Sequence, residues 1–525
     1  MANLSEELVL EVTGLAHDGR GVARLKDNTT SQGMVVLISG ALPGQQVQAR
    51  VVRRRKSFLE AMAERELRPI PDAVSPICPH SQLCGGCPLQ TLPYSRQLQY
   101  KRTLVLDALV RIGGMHHHAV DTLLDPLLPS PALTRYRNKM EFAFGGGSGN
   151  ALILGLRRRN GLEVMPVPGC ALMPPIALAM LEMARHLAAD SGFAAYTPPP
   201  CRPGSARHNQ DSHHTRSCLR KKPSLTGFWR FFILRRGLAT DTRTPKWWAI
   251  CLTSPASHKQ RTIVREMGRV LLSTFPQLAA FLHEERASTD TLAIGEQRIL
   301  TLDTAGCSSP DAAQLLLPLN GHHFLLDATS FFQVNTAAAQ SLAQTATHLL
   351  SSDSSGHGPS RLLDLYCGVG APGLLSAESY SQLLGMELNP RAAKLASFNA
   401  LSLGFHHCHY MAGDVAHLLS HPHFLPWPKA TTPARKTDSV TPGEGCRTDV
   451  LLDPPRCGLD PQSLTAIQSM KPDRILYISC NPSTLARDAK SLCTTHDLTR
   501  VVAVDLFPHT PHVECVSLWT RRPSP

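Results

Sequence analysis

The chain has 525 residues, room for two to four domains at about 150 residues each, and its 42% apolar and 18% charged residues exclude wholesale disorder. Fifty-three Lys and Arg against 41 Asp and Glu leave a net charge of +12, which favours a polyanionic partner, nucleic acid ahead of an anionic membrane surface. No run approaches the roughly 18 apolar residues of a membrane span, and the start MANLSEELVLEV lacks a basic n-region, so a cytoplasmic protein with no membrane partner is expected. Fifteen cysteines, an odd number in a long chain without an export signal, argue against a disulfide framework and for metal or catalytic use of some of them.

In chain order, LVLEV, GVARL, MVVLIS and QVQARVV, separated by turn residues, predict a small OB-like β-barrel over 1–66. The basic run Arg53, Arg54, Arg55, Lys56 after its last strand suits a phosphate backbone as readily as a solvated edge. A Pro-, Gly- and Cys-rich loop follows between Pro69 and Pro93, then helical spacing from Tyr94 to Ile112. The strands KMEFAFG and ALILGLR and a helix near Pro175 to Ala188 make 67–330 a central α+β region. Residues 190–224 are polar, basic and Pro-rich and read as an insertion, as do 351–360 and 421–447. From Arg361 the strands RLLDLY, LLGMEL, DVLLDP, RILYIS and VVAVDLF alternate with helical stretches, predicting a doubly wound, Rossmann-like α/β domain over 331–525 with its chemistry at the strand ends.

Several of those strand ends carry suitable residues. In LLDLYCGVGAPG, Gly368 and Gly370 follow a strand and Gly373 opens a helix, so a ligand can approach the backbone there. Glu387, 19 residues after Gly368, stands where a carboxylate accepts hydrogen bonds from a ribose diol, and Asp414 closes the next segment. The triphosphate loop pattern is absent and the dinucleotide fingerprint is not clean; S-adenosylmethionine, a phosphate-free adenosine with a cationic sulfur, fits better. RILYIS runs directly into Cys480, a good place for a nucleophile provided its environment yields thiolate. Asp453 precedes two prolines and Arg456 at another strand end. In Pro508-His509-Thr510-Pro511-His512-Val513-Glu514, Glu514 is a candidate general base, with the two histidines as loop-packing residues. Cys78, Cys84 and Cys87 are spaced C-x5-C-x2-C; with Cys170 they can close a four-sulfur shell around zinc or an iron–sulfur cluster.

Together, DLYCGVG, LLDPPRCG, YISCNPSTLARD and FPHTPHVE resemble the motifs of the RNA uracil-5 methyltransferases, in particular the bacterial 23S ribosomal-RNA branch with an N-terminal TRAM domain and an iron–sulfur cluster. YRNKMEF and SFFQVN extend the resemblance from the barrel to the C-terminus, outside the three insertions. It implies Cys480 as the nucleophile that adds to C6 of uracil, Glu514 as the base that removes the C5 proton, and Asp453 as a hydrogen-bonding group to the uracil or the cofactor side. It further implies S-adenosylmethionine contacts at Gln333, Tyr366, Glu387 and Asp414, beside the glycine turn, and a [4Fe–4S] cluster on Cys78, Cys84, Cys87 and Cys170. RNA, ribosomal ahead of transfer RNA, is the implied partner, with no obligate protein partner. Ala371 departs from the pattern where relatives often carry a polar residue such as Asn, which keeps a catalytically impaired RNA-binding homologue in play. An iron–sulfur redox enzyme lacks a flavin or nicotinamide fingerprint here, and a DNA cytosine methyltransferase lacks its Pro-Cys motif.

Overall fold

The computed structural model describes residues 6–25, 33–147, 151–159, 161, 163–198, 226–351, 360–420 and 447–523. Most of the three expected insertions, 199–224, 352–359 and 421–446, lies outside the described residues.

Three sheets form in chain order. The first has six strands, with Glu7–Glu11 and Gly14–Leu15 at the two ends of its pairing order. Its alternating apolar residues, among them Val36, Ile38, Val47, Ala49 and Leu59, make a core of their own, as period-2 patterning requires. The second, of nine strands, is built around the long neighbours Trp229–Leu238 and Pro245–Thr253 and carries the hairpin of Gln314–Leu319 and His322–Asp327. Helices Pro175–Asp190 and His258–Thr274 pack on it, the latter opened by a capping box between Ser257 and Gln260.

The third sheet holds the Rossmann-like pattern. Its order is Cys408–Ala412, Gln382–Glu387, Ser360–Leu365, Arg447–Leu452, Arg474–Ser479, Glu514–Arg521 and His496–Val504. The first five run parallel, and Glu514–Arg521 inserts antiparallel to both of its neighbours. The chain winds outward from Ser360–Leu365 on one side, then returns to place Arg447–Leu452 on the other. The crevice between the carboxyl ends of these two strands is therefore the switch point where open α/β sheets bind ligands.

Helix Tyr94–Asp107 begins just after the cysteine loop, yet Val105, Leu106 and Leu109 share a core with Tyr477, Leu485, Leu492 and Val501 of the third sheet and its helices. Leu124 and Leu128 extend this contact through single parallel bridges to Val501 and Val504. The catalytic sheet is thus braced by chain that precedes it by some hundreds of residues.

Candidate active site

The turn after strand Arg474–Ser479 is built to present Cys480. Asn481 N donates to Ser479 Oγ (3.2 Å), and the Asn481 side chain accepts from Ser483 N (3.1 Å), capping helix Pro482–Leu492, which has Pro at its first position. The Arg456 carbonyl accepts from both Asn481 Nδ2 and Thr484 Oγ1 at 3.3 Å, latching this turn to the Asp453–Arg456 loop.

Glu514 arrives through strand register. Ser479 pairs with Cys515 in the antiparallel ladder, so Cys480 and Glu514 lie one step beyond that pair, opposite one another. Asp453 ends the parallel neighbour of the Cys480 strand, where Leu452 pairs with Tyr477. The three groups feel one another. Burial, then the charges of Glu514 and Asp453, push the Cys480 thiol up to about 12, against the opposing pull of Arg456. Burial and Asp453 push Glu514 well above the usual carboxylate range, and burial takes Asp453 to about 7. Arg456 Nη2 stands 3.3 Å from Nδ1 of His512, whose imidazole is driven down to about 3 by burial and by Arg456. A neutral His512 accepts from that guanidinium.

Cys480, Arg456, Asn481 and His512 line a small pocket that also receives His17, from the turn between Gly14–Leu15 and Gly21–Arg24. The first sheet thus reaches the nucleophile. The side of that turn is close-packed: a methyl at Gly19, whose φ is +85°, would meet Pro511 Cγ at 3.1 Å.

The glycine turn lies over the switch point. Gly368 and Gly370 have φ of +56° and +83°, a left-handed backbone that side chains disfavour, and Tyr366 adopts +63° despite its bulk. Glu387 uses both carboxylate oxygens to hold this corner, accepting from Gly368 N at 3.0 Å and Asn389 N at 2.8 Å. Tyr366 Oη donates to Ser463 Oγ (3.1 Å), and burial raises the phenol to about 12. Asp414 accepts from His417 N at 3.0 Å and contributes to the raised Tyr366 phenol. Gln333 lies half-buried on the segment before helix Thr336–Ser351, its carbonyl accepting from Asn138 Nδ2 at 3.0 Å. Ala371, buried, opens the one-turn helix Ala371–Leu374.

The sequence reading had passed over Asp364, in the middle of RLLDLY. It is fully buried, and neither carboxyl oxygen has a hydrogen-bond partner among the described residues. Burial, Asp453 and Glu387 hold it well above the ordinary carboxyl range. Asp364 and Glu514, both buried, each feel the half-buried Asp453 between them in these couplings, an environment that a cationic ligand would relieve. This matches the donor chemistry that a sulfonium calls for. Arg456 and His17 were likewise not singled out in the sequence; Arg456 was legible only as part of a motif, and His17 carried no signal.

Cys78, Cys84, Cys87 and Cys170 are all buried, at 7–9% exposure. Cys84 is raised by burial and by Cys78; Cys87 reaches about 12 through burial, with Cys170 and Cys84 contributing; Cys170 is raised by burial and by Cys78 and Cys84. The four thiols thus share one neighbourhood. As it stands, no group of three or more His, Cys, Asp or Glu side chains among the described residues is arranged to hold a metal ion. No described helix is long and apolar enough to cross a membrane.

With this geometry in view, the similarities fall into place. Residues 310–522 match the tRNA (Uracil-5-)-methyltransferase family and residues 4–63 the TRAM domain. An uncharacterized RNA methyltransferase of Nitratidesulfovibrio vulgaris is 32% identical over 99% of this chain and 98% of its own, and one from Gloeobacter violaceus is 28% identical over 98% and 97%. The solved tRNA (uracil-54, C5)-methyltransferase of Pyrococcus abyssi, in complex with S-adenosyl-L-homocysteine, shares the fold with a TM-score of 0.64 at 22% identity, covering 98% of this chain and all of that one. The third sheet is the fold of S-adenosylmethionine-dependent methyltransferases, joined to an N-terminal TRAM domain. The chain belongs to the family of these RNA methyltransferases and is an RNA methyltransferase enzyme, with the uracil-5-methyltransferase match confined to residues 310–522.

Proposed function

We propose that this enzyme methylates C5 of one uridine in structured RNA, with S-adenosylmethionine as methyl donor and 23S ribosomal RNA as substrate. The observation that carries the reading is the meeting of Cys480, Glu514 and Asp453 at the carboxyl edge of one sheet. In this mechanism Cys480, its proton given up to solvent, bonds through its thiolate Sγ to C6 of the uracil, and the C5=C6 π pair moves into an enolate. The C5 carbon then takes the methyl group as the donor's carbon–sulfur bond breaks and neutral S-adenosylhomocysteine departs. Glu514 takes the C5 proton, the C5=C6 bond returns, and the Cys480 thiolate leaves. Asp453 orients the base or the donor from the same strand edge.

S-adenosylmethionine supplies an activated methyl group. Tyr366, Gly368, Gly370, Glu387, Asp414 and Gln333 are assigned to bind it, with Glu387 exchanging its present amide partners for a ribose diol. The target uridine must leave its stack to bring C6 to Cys480, at an unstacking cost of about a few kcal/mol. The choice of ribosomal RNA rests on the TRAM domain combined with the four-cysteine loop. By the resemblance and the C-x5-C-x2-C spacing, Cys78, Cys84, Cys87 and Cys170, all buried, would hold a [4Fe–4S] cluster, for which the side chains would have to draw together. When bound, it would tie the loop to the Gly169–Cys170 turn. The TRAM, central and catalytic parts lie on one chain, and the reading invokes no partner subunit.

A direct test incubates anaerobically purified enzyme and Cys480→Ala with labelled S-adenosylmethionine and unmodified 23S ribosomal or transfer RNA. Cys480-dependent 5-methyluridine in the ribosomal RNA is expected. Label confined to transfer RNA would keep the chemistry and move the substrate to the class on which the Pyrococcus enzyme acts. No label from folded, RNA-binding protein would refute the catalytic reading.

A further inference from the structure

Helix Tyr94–Asp107 carries two buried polar side chains one turn apart, Gln97 at 1% and Lys101 at 0% exposure. Neither belongs to the site described above. Burying an ammonium is costly unless it is fully paired, and here the pairing is directed at the loop that delivers Glu514. Lys101 Nζ lies 2.6 Å from Asp505 Oδ1, itself 0% exposed, and donates to the Phe507 carbonyl at 2.9 Å. The other Asp505 oxygen accepts from Tyr94 Oη at 2.9 Å, and that phenol accepts from Ser130 N at 2.8 Å.

Gln97 faces both ways. Its Nε2 donates to the Leu89 and Leu92 carbonyls, 3.1 and 2.9 Å away, at the end of the cysteine loop. Its Oε1 accepts from His509 N at 2.9 Å, and Leu89 N donates to the His509 carbonyl at 2.9 Å. His509 has φ of +68°, a conformation that a side-chain-bearing residue keeps only when its surroundings enforce it. Five residues later the chain reaches Glu514.

We propose that Gln97 and Lys101 are positioning residues that tie the cysteine loop to the segment Asp505–Glu514 and so fix the Glu514 carboxylate for removal of the C5 proton. The inference rests on the reading of Glu514 as that base. It separates this pair from an ordinary structural contact, because a misplaced Glu514 slows only the step after methyl transfer. The intermediate that accumulates is then the methylated RNA still bonded to Cys480.

The experiment compares wild type, Gln97→Ala, the double variant Lys101→Met/Asp505→Leu and Glu514→Gln, using labelled S-adenosylmethionine with unmodified 23S ribosomal and transfer RNA transcripts. The double variant replaces both buried charges together, which avoids stranding either one. Free 5-methyluridine and denaturant-resistant labelled RNA–protein adduct are measured in parallel, per folded protein by circular dichroism. Gln97→Ala and the double variant are each expected to lower kcat by about tenfold or more with the KM for RNA changed by less than about twofold, and to accumulate labelled adduct as Glu514→Gln does. Adduct trapped by Glu514→Gln but by neither of the other variants would overturn the positioning role. Absence of adduct in Glu514→Gln, with product still forming, would instead overturn the underlying reading of Glu514.

Discussion

The four buried cysteines of the loop and its partner turn and the half-buried Cys480 differ in what surrounds them. Cys84, Cys87 and Cys170 each feel other thiols of the set, beside hydrogen bonds from Gly86 N, Gln90 and Leu172 N, with Arg137 and Arg159 favouring their ionisation. Around Cys480 the neighbours are carboxyl groups, Glu514 and Asp453, opposed by Arg456. Burial raises thiols in both places, so burial alone does not distinguish a nucleophile from a ligand. What differs is the chemistry each neighbourhood is proposed to complete: thiols that share a buried loop are proposed as metal ligands, whereas a thiol at a strand end beside carboxyls and a pocket is proposed as a nucleophile.

The largest expected effect breaks this contrast at its catalytic side. Cys480→Ala should lower formation of 5-methyluridine by about 10³-fold or more, measured by nucleoside mass spectrometry, while Cys307→Ala, an exposed cysteine, should leave it unchanged. On the other side, the proposed cluster predicts that Cys87→Ala lowers bound iron, sulfide and visible absorption in anaerobically purified protein, whereas Cys480→Ala retains them. Equal metal content in the two variants would erase the proposed distinction.

A subtler measurement follows the Cys480 thiol itself. Its alkylation by iodoacetamide in the free enzyme, read at the Cys480 peptide, should climb with pH toward about 12 as thiolate forms. Asp453→Asn removes a charge that raises the thiol and should speed alkylation at pH 8; Arg456→Ala removes a charge that lowers it and should slow the same reaction. Opposite signs from neighbours of one sulfur would be hard to obtain from general unfolding.

The smallest effect concerns stability. Because the folded Asp453 carboxyl is raised to about 7, its protonated form favours the fold; that contribution is complete below the ordinary carboxyl value of about 4 and is lost as pH rises through about 7. Asp453→Asn should therefore melt above the wild type by about 2–4 °C at pH 8, with the difference vanishing toward pH 4, by calorimetry without ligand. A gain independent of pH would mean that the carboxyl charge is not its source.

Much of the catalytic domain was legible because its signals are local. Apolar runs such as RILYIS and DVLLDP became the strands Arg474–Ser479 and Arg447–Leu452, and the glycines of DLYCGVG do occupy positive-φ positions. Helix Pro175–Asp190 likewise follows from its apolar spacing and opening proline. Asp364 was not legible: one acid within an apolar strand carries no periodic mark, and only burial among other acids makes it notable. Gln97 and Lys101 were hidden for a related reason, since polar residues on a helix ordinarily face water and here face a loop some 400 residues away in sequence.

The sequence by itself determined the alternation of strands and helices, the turns that the glycines and prolines permit, and which side chains are able to act as nucleophile, base or thiolate ligand. Only the tertiary structure decided which of these meet. The last strand's antiparallel insertion sets Glu514 opposite Cys480, and an early helix braces the loop between them and the cysteines. The physical reason is that side-chain chemistry and short-range backbone preference reside in neighbouring residues, whereas strand register, burial and the pairing of buried charges arise from segments far apart in sequence packing against one another.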